Sequence, residues 1–141
     1  MLKKPAVKNK KEAKVVAKRS RAGLGLFAVA PFKRGQKIIE YVGPLIPNKI
    51  AVDITNNRYL FDVNKNWTID GRGRDNIARY ANHSCKPNAE SDIRGKRVFI
   101  LAKKKIMPGE EITYDYGKEY FDEYIKIQNC RCDAPKHGVT D

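Results

Sequence analysis

The chain has 141 residues and a formal net charge of +13, a length typical of a single domain. Its longest apolar runs fall far short of the roughly 20 residues that a membrane-spanning helix needs, and no apolar segment follows the basic N-terminus before Ala22, as a secretory signal would require. These features argue against a helical membrane protein and a secreted protein, and we expect a soluble intracellular protein.

The positive charge is concentrated at the N-terminus. Residues 1–21 hold nine Lys or Arg and one Glu, a net charge of +8, which leaves +5 of the total +13 for residues 22–141. A lysine-rich segment of this kind is usually solvated, so we expect residues 1–18 to form a flexible basic tail. The tail predicts weak contact with nucleic acid or another polyanion, although the absence of aromatic residues before Phe27 argues against base stacking.

The first motif after the tail is Gly23-Leu24-Gly25. Two glycines one residue apart permit a tight bend and a close approach of the backbone to a ligand. A hairpin turn between short strands explains the same pair without a ligand. From Leu26 to Ile46, short apolar runs separated by Pro and Gly predict a β-rich architecture, with a strand at Ile38–Val42.

Alternating or apolar runs predict further short elements along the rest of the chain. Additional strands are expected at Arg58–Val63, Trp67–Asp70 and Arg97–Ala102. Short helical segments are expected at Asn48–Asn57 (or a loop), Asp75–Ala81 and Glu119–Gln128. The strand at Arg58–Val63 would place Tyr59 and Phe61 on one face, where core packing is the commoner role for two aromatic residues.

The most informative stretch is Asn82–Asn88, which reads Asn-His-Ser-Cys-Lys-Pro-Asn. It collects hydrogen-bonding side chains in a short segment directly after the predicted helical turns, and polar loops on an apolar scaffold often carry function. Alternatively, its Asn and Ser side chains bond their own backbone and His83 is a buried structural residue. The segment taken alone favours neither interpretation.

Two further groups of residues bear on function. The three cysteines, Cys85, Cys130 and Cys132, form an odd set that does not suit a disulfide framework, so we expect a reducing compartment in which thiolates bind metal or simply pack. Acidic residues toward the C-terminus hint at a surface for a basic peptide. These are Glu110, Glu111, Asp115, Glu119, Asp122 and Glu123.

Four motifs occur in a fixed order: Gly23-Leu24-Gly25, Glu40-Tyr41-Val42-Gly43, Asn82–Asn88 and Gly109–Gly117. In this combination the sequence resembles the SET-domain lysine methyltransferases over roughly residues 19–137. The resemblance implies a mainly β SET fold of small antiparallel sheets and short helices, in which the C-terminal segment passes beneath a preceding loop in a knot-like topology. It also implies a SET domain at residues 19–117 and a post-SET-like tail at residues 118–141.

The resemblance implies S-adenosylmethionine as cofactor and a lysine of a histone or another basic protein as substrate. The implied cofactor-binding residues are Ala22, Gly23, Leu24, Gly25, Tyr59, Arg79, Asn82 and His83. The implied catalytic residues are Tyr116, whose hydroxyl orients the amine, Tyr59 and Phe61 as channel walls, and Tyr114. Because Tyr114 stands where the family varies between Phe and Tyr, we expect mainly monomethylation, with some dimethylation.

The resemblance also suggests a zinc site. In the family, a tail of Cys-x-Cys-x4-Cys joins the cysteine of the Asn-His-Ser-Cys motif, and here His137 stands at the position of the third tail cysteine. A Cys3His site of Cys85, Cys130, Cys132 and His137 is therefore expected. The alternative is that the tail cysteines bind no metal and His137 is an ordinary exposed residue.

A second class of function fits the same residues. The chain could be a catalytically weak module in which the body recognises a peptide and the basic tail contacts nucleic acid. The presence of Tyr116, Asn82, His83 and both glycines favours the enzyme. We expect a cytoplasmic location if the source is microbial, and a nuclear or chromatin location if it is eukaryotic or viral.

Overall fold

The computed structural model describes residues 13–20, 23–54 and 58–116. In these residues, ten strands, one α-helical turn and one 3₁₀ helix follow one another. They are β1 (Val15–Ser20), β2 (Gly23–Ala28), β3 (Lys37–Tyr41), β4 (Leu45–Pro47), α1 (Asn48–Ala51), β5 (Leu60–Asp62), β6 (Trp67–Asp70), the 3₁₀ helix (Ile77–Tyr80), β7 (Asn82–His83), β8 (Ala89–Arg94), β9 (Arg97–Ala102) and β10 (Glu111–Tyr114). The strands form three small sheets, in the orders β1-β2-β10-β7, β3-β9-β8 and β4-β6-β5. The predicted mainly β fold is confirmed.

Strand β1 corrects the predicted boundary of the basic tail. It pairs antiparallel with β2, from Val15 opposite Ala28 to Ser20 opposite Gly23. The prediction that the flexible tail extends to residue 18 was therefore wrong for residues 15–18. Lysines do not prevent pairing here because their side chains can leave the sheet face. The Lys18 ammonium lies 4.7 Å from the centre of the Phe27 ring, a cation–π distance.

Strand β2 begins at Gly23. The φ angle of this residue, 101°, lies in the left-handed region that favours glycine. The hairpin interpretation of this motif is therefore confirmed, and it does not compete with a role in ligand binding, since the same hairpin borders the cavity described below.

Strands β6 and β9 coincide with the predicted Trp67–Asp70 and Arg97–Ala102, but β8 was missed. Strand β8 is the edge strand next to β9, and most of its side chains are exposed. Its charged residues hid the strand pattern, although charges are a common feature of edge strands because they discourage pairing with other chains. The turn that joins β8 to β9 contains Gly95, whose φ angle of 64° suits a tight hairpin.

Strand β5 is shorter than predicted and begins after Tyr59. The Tyr59 carbonyl accepts a hydrogen bond of 2.6 Å from the Tyr41 hydroxyl and one of 2.9 Å from the backbone N–H of Gly71. These two bonds fix the Tyr59 backbone without a strand partner. Tyr59 and Phe61 had been expected to lie on one strand, and the structure shows that only Phe61 belongs to β5.

Two hydrophobic clusters form the core. The larger one joins the four-stranded sheet to the β3-β9-β8 sheet and includes Leu26 of β2 and Ile112 of β10, both fully buried. Full burial of an aliphatic side chain contributes about 1.5–3 kcal/mol. Burial of Leu26 and Ile112 therefore fixes the positions of β2, which carries Gly25, and β10, which carries Tyr114.

Three further expectations concern membrane-spanning helices, a C-terminal helix and the knot-like topology. None of the described helices has the length and apolar character needed to cross a membrane. The predicted helix at Glu119–Gln128 and the knot-like passage of the C-terminal segment depend on residues outside the described part, and both stay predictions.

Candidate functional site

A cavity of about 480 Å³ opens beside strands β2 and β7. Its volume lies within the range typical of small-molecule sites. It is lined by Leu24, Arg58, Tyr59, Arg74, Arg79, Tyr80, Asn82 and Tyr116. Four residues predicted to bind a cofactor and one predicted to be catalytic thus meet around a single space, although they are up to 92 positions apart in the sequence, from Leu24 to Tyr116.

The cavity is held together by parallel pairing between β7 and β10. Thr113 lies opposite Asn82, and Tyr114 lies opposite His83. The Asn88 side chain extends this contact, because its Nδ2 donates to the Glu111 carbonyl at 2.9 Å and its Oδ1 accepts from the Thr113 N–H at 3.0 Å. One amide side chain thereby bonds the β10 backbone much as a neighbouring strand would.

Both interpretations of the Asn82–Asn88 segment contribute to its structure. The Ser84 hydroxyl accepts a hydrogen bond from the backbone N–H of Lys86 at 3.0 Å, as in a self-bonded turn. Asn82 instead reaches the cavity and Asn88 reaches β10. The two ends of the segment therefore serve the site, while its middle maintains its own shape.

The Asn82 amide has a fixed orientation. Its Nδ2 lies 2.8 Å from Glu111 Oε2, 3.0 Å from the Leu24 carbonyl oxygen and 3.3 Å from Ser20 Oγ. A carboxylate and a carbonyl accept hydrogen bonds and cannot donate them, so the amide nitrogen must face them. Every hydrogen bond that this side chain makes to the described residues uses its nitrogen.

Tyr116 is anchored at both its backbone and its ring. Its N–H donates to His83 Nδ1 at 3.1 Å, and its hydroxyl donates to the Ala81 carbonyl at 2.6 Å. Because His83 Nδ1 accepts, the neutral imidazole carries its proton on Nε2, which lies 3.3 Å from Cys85 Sγ. His83 thus connects Tyr116 to the cysteine of the same segment.

One wall of the cavity is cationic. The Arg79 guanidinium lies 4.7 Å from the centre of the Tyr59 ring and 5.0 Å from that of Tyr80, and it donates to the Arg72 carbonyl. Its Nε is buried and has no hydrogen-bond partner among the described residues. The Arg79 guanidinium lines the cavity together with Arg58 and Arg74, and a cationic lining suits an anionic group of a ligand.

The loop that carries this wall is stabilised by an ion pair. Arg72 Nε and Nη2 each donate to the Asp70 carboxylate at 2.8 Å, and these hydrogen bonds hold the pKa of Asp70 below its ordinary value of 3.8. Since the Arg72 carbonyl is the acceptor for Arg79, the pair also supports the position of the Arg79 guanidinium.

Sequence reasoning identified Arg79 but missed three lining residues, Arg58, Arg74 and Tyr80. The sequence features that could have identified these residues are weak. Arg58 directly precedes Tyr59 and lies 5.7 Å from its ring centre, and Arg74 is the last of the alternating glycines and arginines of residues 71–74. No spacing rule distinguishes these arginines from solvated ones before the fold is known.

The remaining predicted site residues lie in several places. Tyr114 is 7% exposed and its ring centre is 5.0 Å from that of Tyr116, next to the cavity wall. Phe61 does not line the cavity; its half-buried ring packs against both core clusters, 5.4 Å from Tyr41. Its role as a channel wall stays a prediction.

The predicted zinc site falls almost wholly outside the described residues, as does Ala22. Cys85 is the one described member of the set, and Cys130, Cys132 and His137 lie beyond residue 116. Within the described part of the chain, no group of three His, Cys, Asp or Glu side chains is placed to hold a metal ion.

Comparison with known protein families identifies the chain. The family model described as the SET domain matches residues 23–117, a range that includes every residue lining the cavity. The chain belongs to the SET-domain family. The resemblance inferred from the four motifs is confirmed, and the cavity lies within the SET domain.

Curated relatives agree with this assignment. The chain is 38% identical to "Histone-lysine N-methyltransferase trr" of Drosophila melanogaster over 80% of its length. It is 39% identical to "Histone-lysine N-methyltransferase, H3 lysine-4 specific" of Schizosaccharomyces pombe over 79% of the chain, and 37% identical to "Putative histone-lysine N-methyltransferase ASHH4" of Arabidopsis thaliana over 81%. The matched regions span 5%, 13% and 35% of these relatives, respectively.

Proposed function

We propose that this SET domain transfers a methyl group from S-adenosylmethionine to the ε-amine of a lysine in a histone or another basic protein. The observation that carries the proposal is the convergence of Asn82, Arg79, Tyr59 and Tyr116 on one cavity within the family's matched region. The relatives are named as histone-lysine N-methyltransferases, which supports the same reaction class.

The polar groups of the cavity suit the amino-acid end of S-adenosylmethionine. A carboxylate would pair with the Arg79 guanidinium, with Arg58 and Arg74 adding positive charge on the same lining. The oxygen of the Asn82 amide would accept a hydrogen bond from the cofactor's ammonium group, because the nitrogen of that amide faces other acceptors. When bound, the cofactor supplies a methyl carbon attached to a positively charged sulfur.

The protein's catalytic task is alignment, since the amine displaces the sulfonium directly and no covalent enzyme intermediate is needed. Tyr116 would orient the amine: the hydrogen of its hydroxyl points to the Ala81 carbonyl, so the lone pairs of the oxygen point elsewhere. Correct orientation of two reactants can lower a barrier by several kcal/mol. The lysine must also be neutral, and transfer from water to an aromatic channel lowers its free pKa of about 10.4.

We further propose that the product is mainly monomethyl-lysine. Tyr114 is buried against Tyr116, and a hydroxyl at this position occupies space and can hydrogen-bond the amine or a water molecule. Both effects leave less room for additional methyl groups. Some dimethylation is compatible with the same arrangement.

The Cys3His zinc site of Cys85, Cys130, Cys132 and His137 belongs to the proposal as well. Thiolate and imidazole ligands are the ones that structural zinc sites use. Metal binding would fasten the C-terminal tail to the segment that carries Asn82 and His83. If the protein is eukaryotic, we expect it to act in the nucleus on chromatin.

Two measurements on the full chain test this function. Calorimetry is expected to show binding of S-adenosylmethionine, and mass spectrometry is expected to show methylated lysine after incubation with mixed histones and ribosomal proteins. Tight cofactor binding with no transfer to any of these proteins would favour the alternative, a peptide-binding module with little activity. Absence of cofactor binding would contradict the proposal altogether.

A further inference from the structure

The Glu111 carboxylate contacts Asn82, a residue that lines the cavity. Sequence reasoning grouped Glu111 with exposed acidic residues of the C-terminal half. In the structure it is half-buried at the start of β10, and its Oε2 accepts a hydrogen bond of 2.8 Å from Asn82 Nδ2. Its neighbour Glu110 is exposed and accepts from the Met107 N–H at 3.0 Å. Adjacent acids therefore have different roles.

Gly25 provides the space that the Glu111 carboxylate occupies. A Cβ atom placed on Gly25 would lie 2.5 Å from Glu111 Oε2 and 3.0 Å from the Cβ of Ser20. The first distance is well below van der Waals contact. Any side chain at residue 25 would push the carboxylate away from Asn82. The second glycine of the motif is thus required for space, whereas Gly23 is required for its backbone conformation.

The contact with Glu111 determines which end of the Asn82 amide faces a ligand. Rotating the amide by half a turn would place its oxygen against the Glu111 carboxylate and the Leu24 carbonyl, which repel it. If Glu111 were removed, the Leu24 carbonyl would be the main group opposing that rotation, since the Ser20 hydroxyl can either donate or accept. The carboxylate therefore contributes a large part of the preference for one orientation.

We propose that Glu111 is a positioning residue for cofactor binding, which acts by holding Asn82 with its amide oxygen available to a cationic donor of the cofactor. Gly25 is the second part of this device, because it admits the carboxylate. The proposal rests on the proposed function, since it takes S-adenosylmethionine as the ligand of the cavity. It assigns to strand β10 a role in cofactor binding, in addition to the role proposed for its Tyr114 in limiting methylation.

A double-mutant cycle tests whether Glu111 acts through Asn82. We expect Glu111→Ala and Asn82→Ala each to raise the Kd for S-adenosylhomocysteine by about tenfold, because a hydrogen bond to a charged group is among the stronger ones. The double variant should bind no more weakly than Asn82→Ala alone. Effects that multiply in the double variant would overturn the proposal, as would a Glu111→Ala Kd within about twofold of wild type.

Two further variants separate positioning from general stabilisation. Glu111→Gln keeps an oxygen that can accept from Asn82, so it should retain more affinity than Glu111→Ala. Gly25→Ala should weaken binding in the wild-type background and have a much smaller effect in the Glu111→Ala background. Equal effects in both backgrounds would contradict the proposed use of this space.

The control is Glu110→Ala, which removes a neighbouring carboxylate outside the cavity and should leave the Kd unchanged. Thermal unfolding of each variant without cofactor checks that the protein is folded. If wild type binds the cofactor and Glu111→Ala binds equally well, this inference alone fails. If wild type does not bind, the proposed function fails first.

Discussion

The hydroxyl of Tyr116 donates a hydrogen bond of 2.6 Å to the carbonyl oxygen of Ala81, the residue directly before Asn82. The N–H of Tyr116 bonds to His83, the residue directly after it. The proposed catalytic tyrosine and the proposed cofactor-binding asparagine are therefore parts of one hydrogen-bonded unit. Tyr116 is thereby fixed beside Asn82 through the two residues that flank it.

Tyr114 is expected to limit the degree of methylation. Replacing it by Phe removes a hydroxyl beside Tyr116 and leaves space for a further methyl group. Tyr114→Phe should therefore shift the product from mono- toward di- and trimethyl-lysine, as measured by mass spectrometry of a methylated substrate. Predominantly trimethylated product from the wild-type enzyme would refute this explanation.

Asn88 is expected to be important for stability. Asn88→Ala removes two hydrogen bonds to the β10 backbone and leaves the Thr113 N–H and the Glu111 carbonyl without them. We expect a loss of about 1–3 kcal/mol in the free energy of unfolding, measured with urea. Lys86→Ala, an exposed change in the same segment, is the matched control and should cost less than about 0.5 kcal/mol. Similar losses in the two variants would argue against the bridging role.

The ion pair between Glu40 and Arg97 predicts a pH dependence of stability. Arg97 donates two hydrogen bonds of 2.7 and 2.9 Å to the Glu40 carboxylate, which lower the pKa of Glu40 below its ordinary value of 4.5. A carboxylate with a lowered pKa in the folded state contributes stability that is fully present above the ordinary value and is lost as the pH falls through the folded value.

Glu40→Gln should accordingly have a lower Tm than wild type at about pH 7, and the difference should shrink toward about pH 3 as the wild-type carboxyl is protonated. The difference should be small, because both side chains are partly exposed. A Tm difference that grows in acid would have the wrong sign for this pair.

The zinc proposal predicts about one zinc ion per chain in protein purified without chelator, by elemental analysis. Cys85→Ser should lose the metal and weaken peptide methylation more than cofactor binding, because the metal would hold the C-terminal tail and not the cofactor. Zinc content well below one per chain in the wild type would refute the site, and equal losses of methylation and cofactor affinity would contradict the assigned role of the metal.

Sequence reasoning predicted the mainly β fold and several strands because their patterns are local. Trp67–Asp70 contains a tryptophan and two β-branched residues and is bounded by turn residues, so its strand character is visible in the sequence itself. Strand β8 was missed because an exposed edge strand carries charges, and β1 was missed because lysines in a basic segment suggest solvation. In both cases the stabilisation comes from pairing with the next strand along the chain, β9 for β8 and β2 for β1.

For the site, the family resemblance predicted that Leu24, Tyr59, Arg79 and Asn82 belong to one binding site, but it could not give the direction of each side chain. Glu111 shows why. Its carboxylate reaches Asn82 because β10 pairs with β2 on one side and with β7, which carries Asn82, on the other. Such registers depend on long-range contacts that a single sequence does not display.

The most direct test of the proposed function is the rate of methyl transfer to lysine by wild type and Tyr116→Phe, with cofactor Kd measured in parallel. We predict that wild type methylates a histone lysine and that Tyr116→Phe transfers about a hundredfold more slowly, with nearly unchanged cofactor affinity. Tyr41→Phe, which also loses a 2.6 Å bond from a tyrosine hydroxyl to a carbonyl, should slow transfer only a few-fold. Equal rates for wild type and Tyr116→Phe, or no transfer by wild type despite bound cofactor, would contradict the assignment.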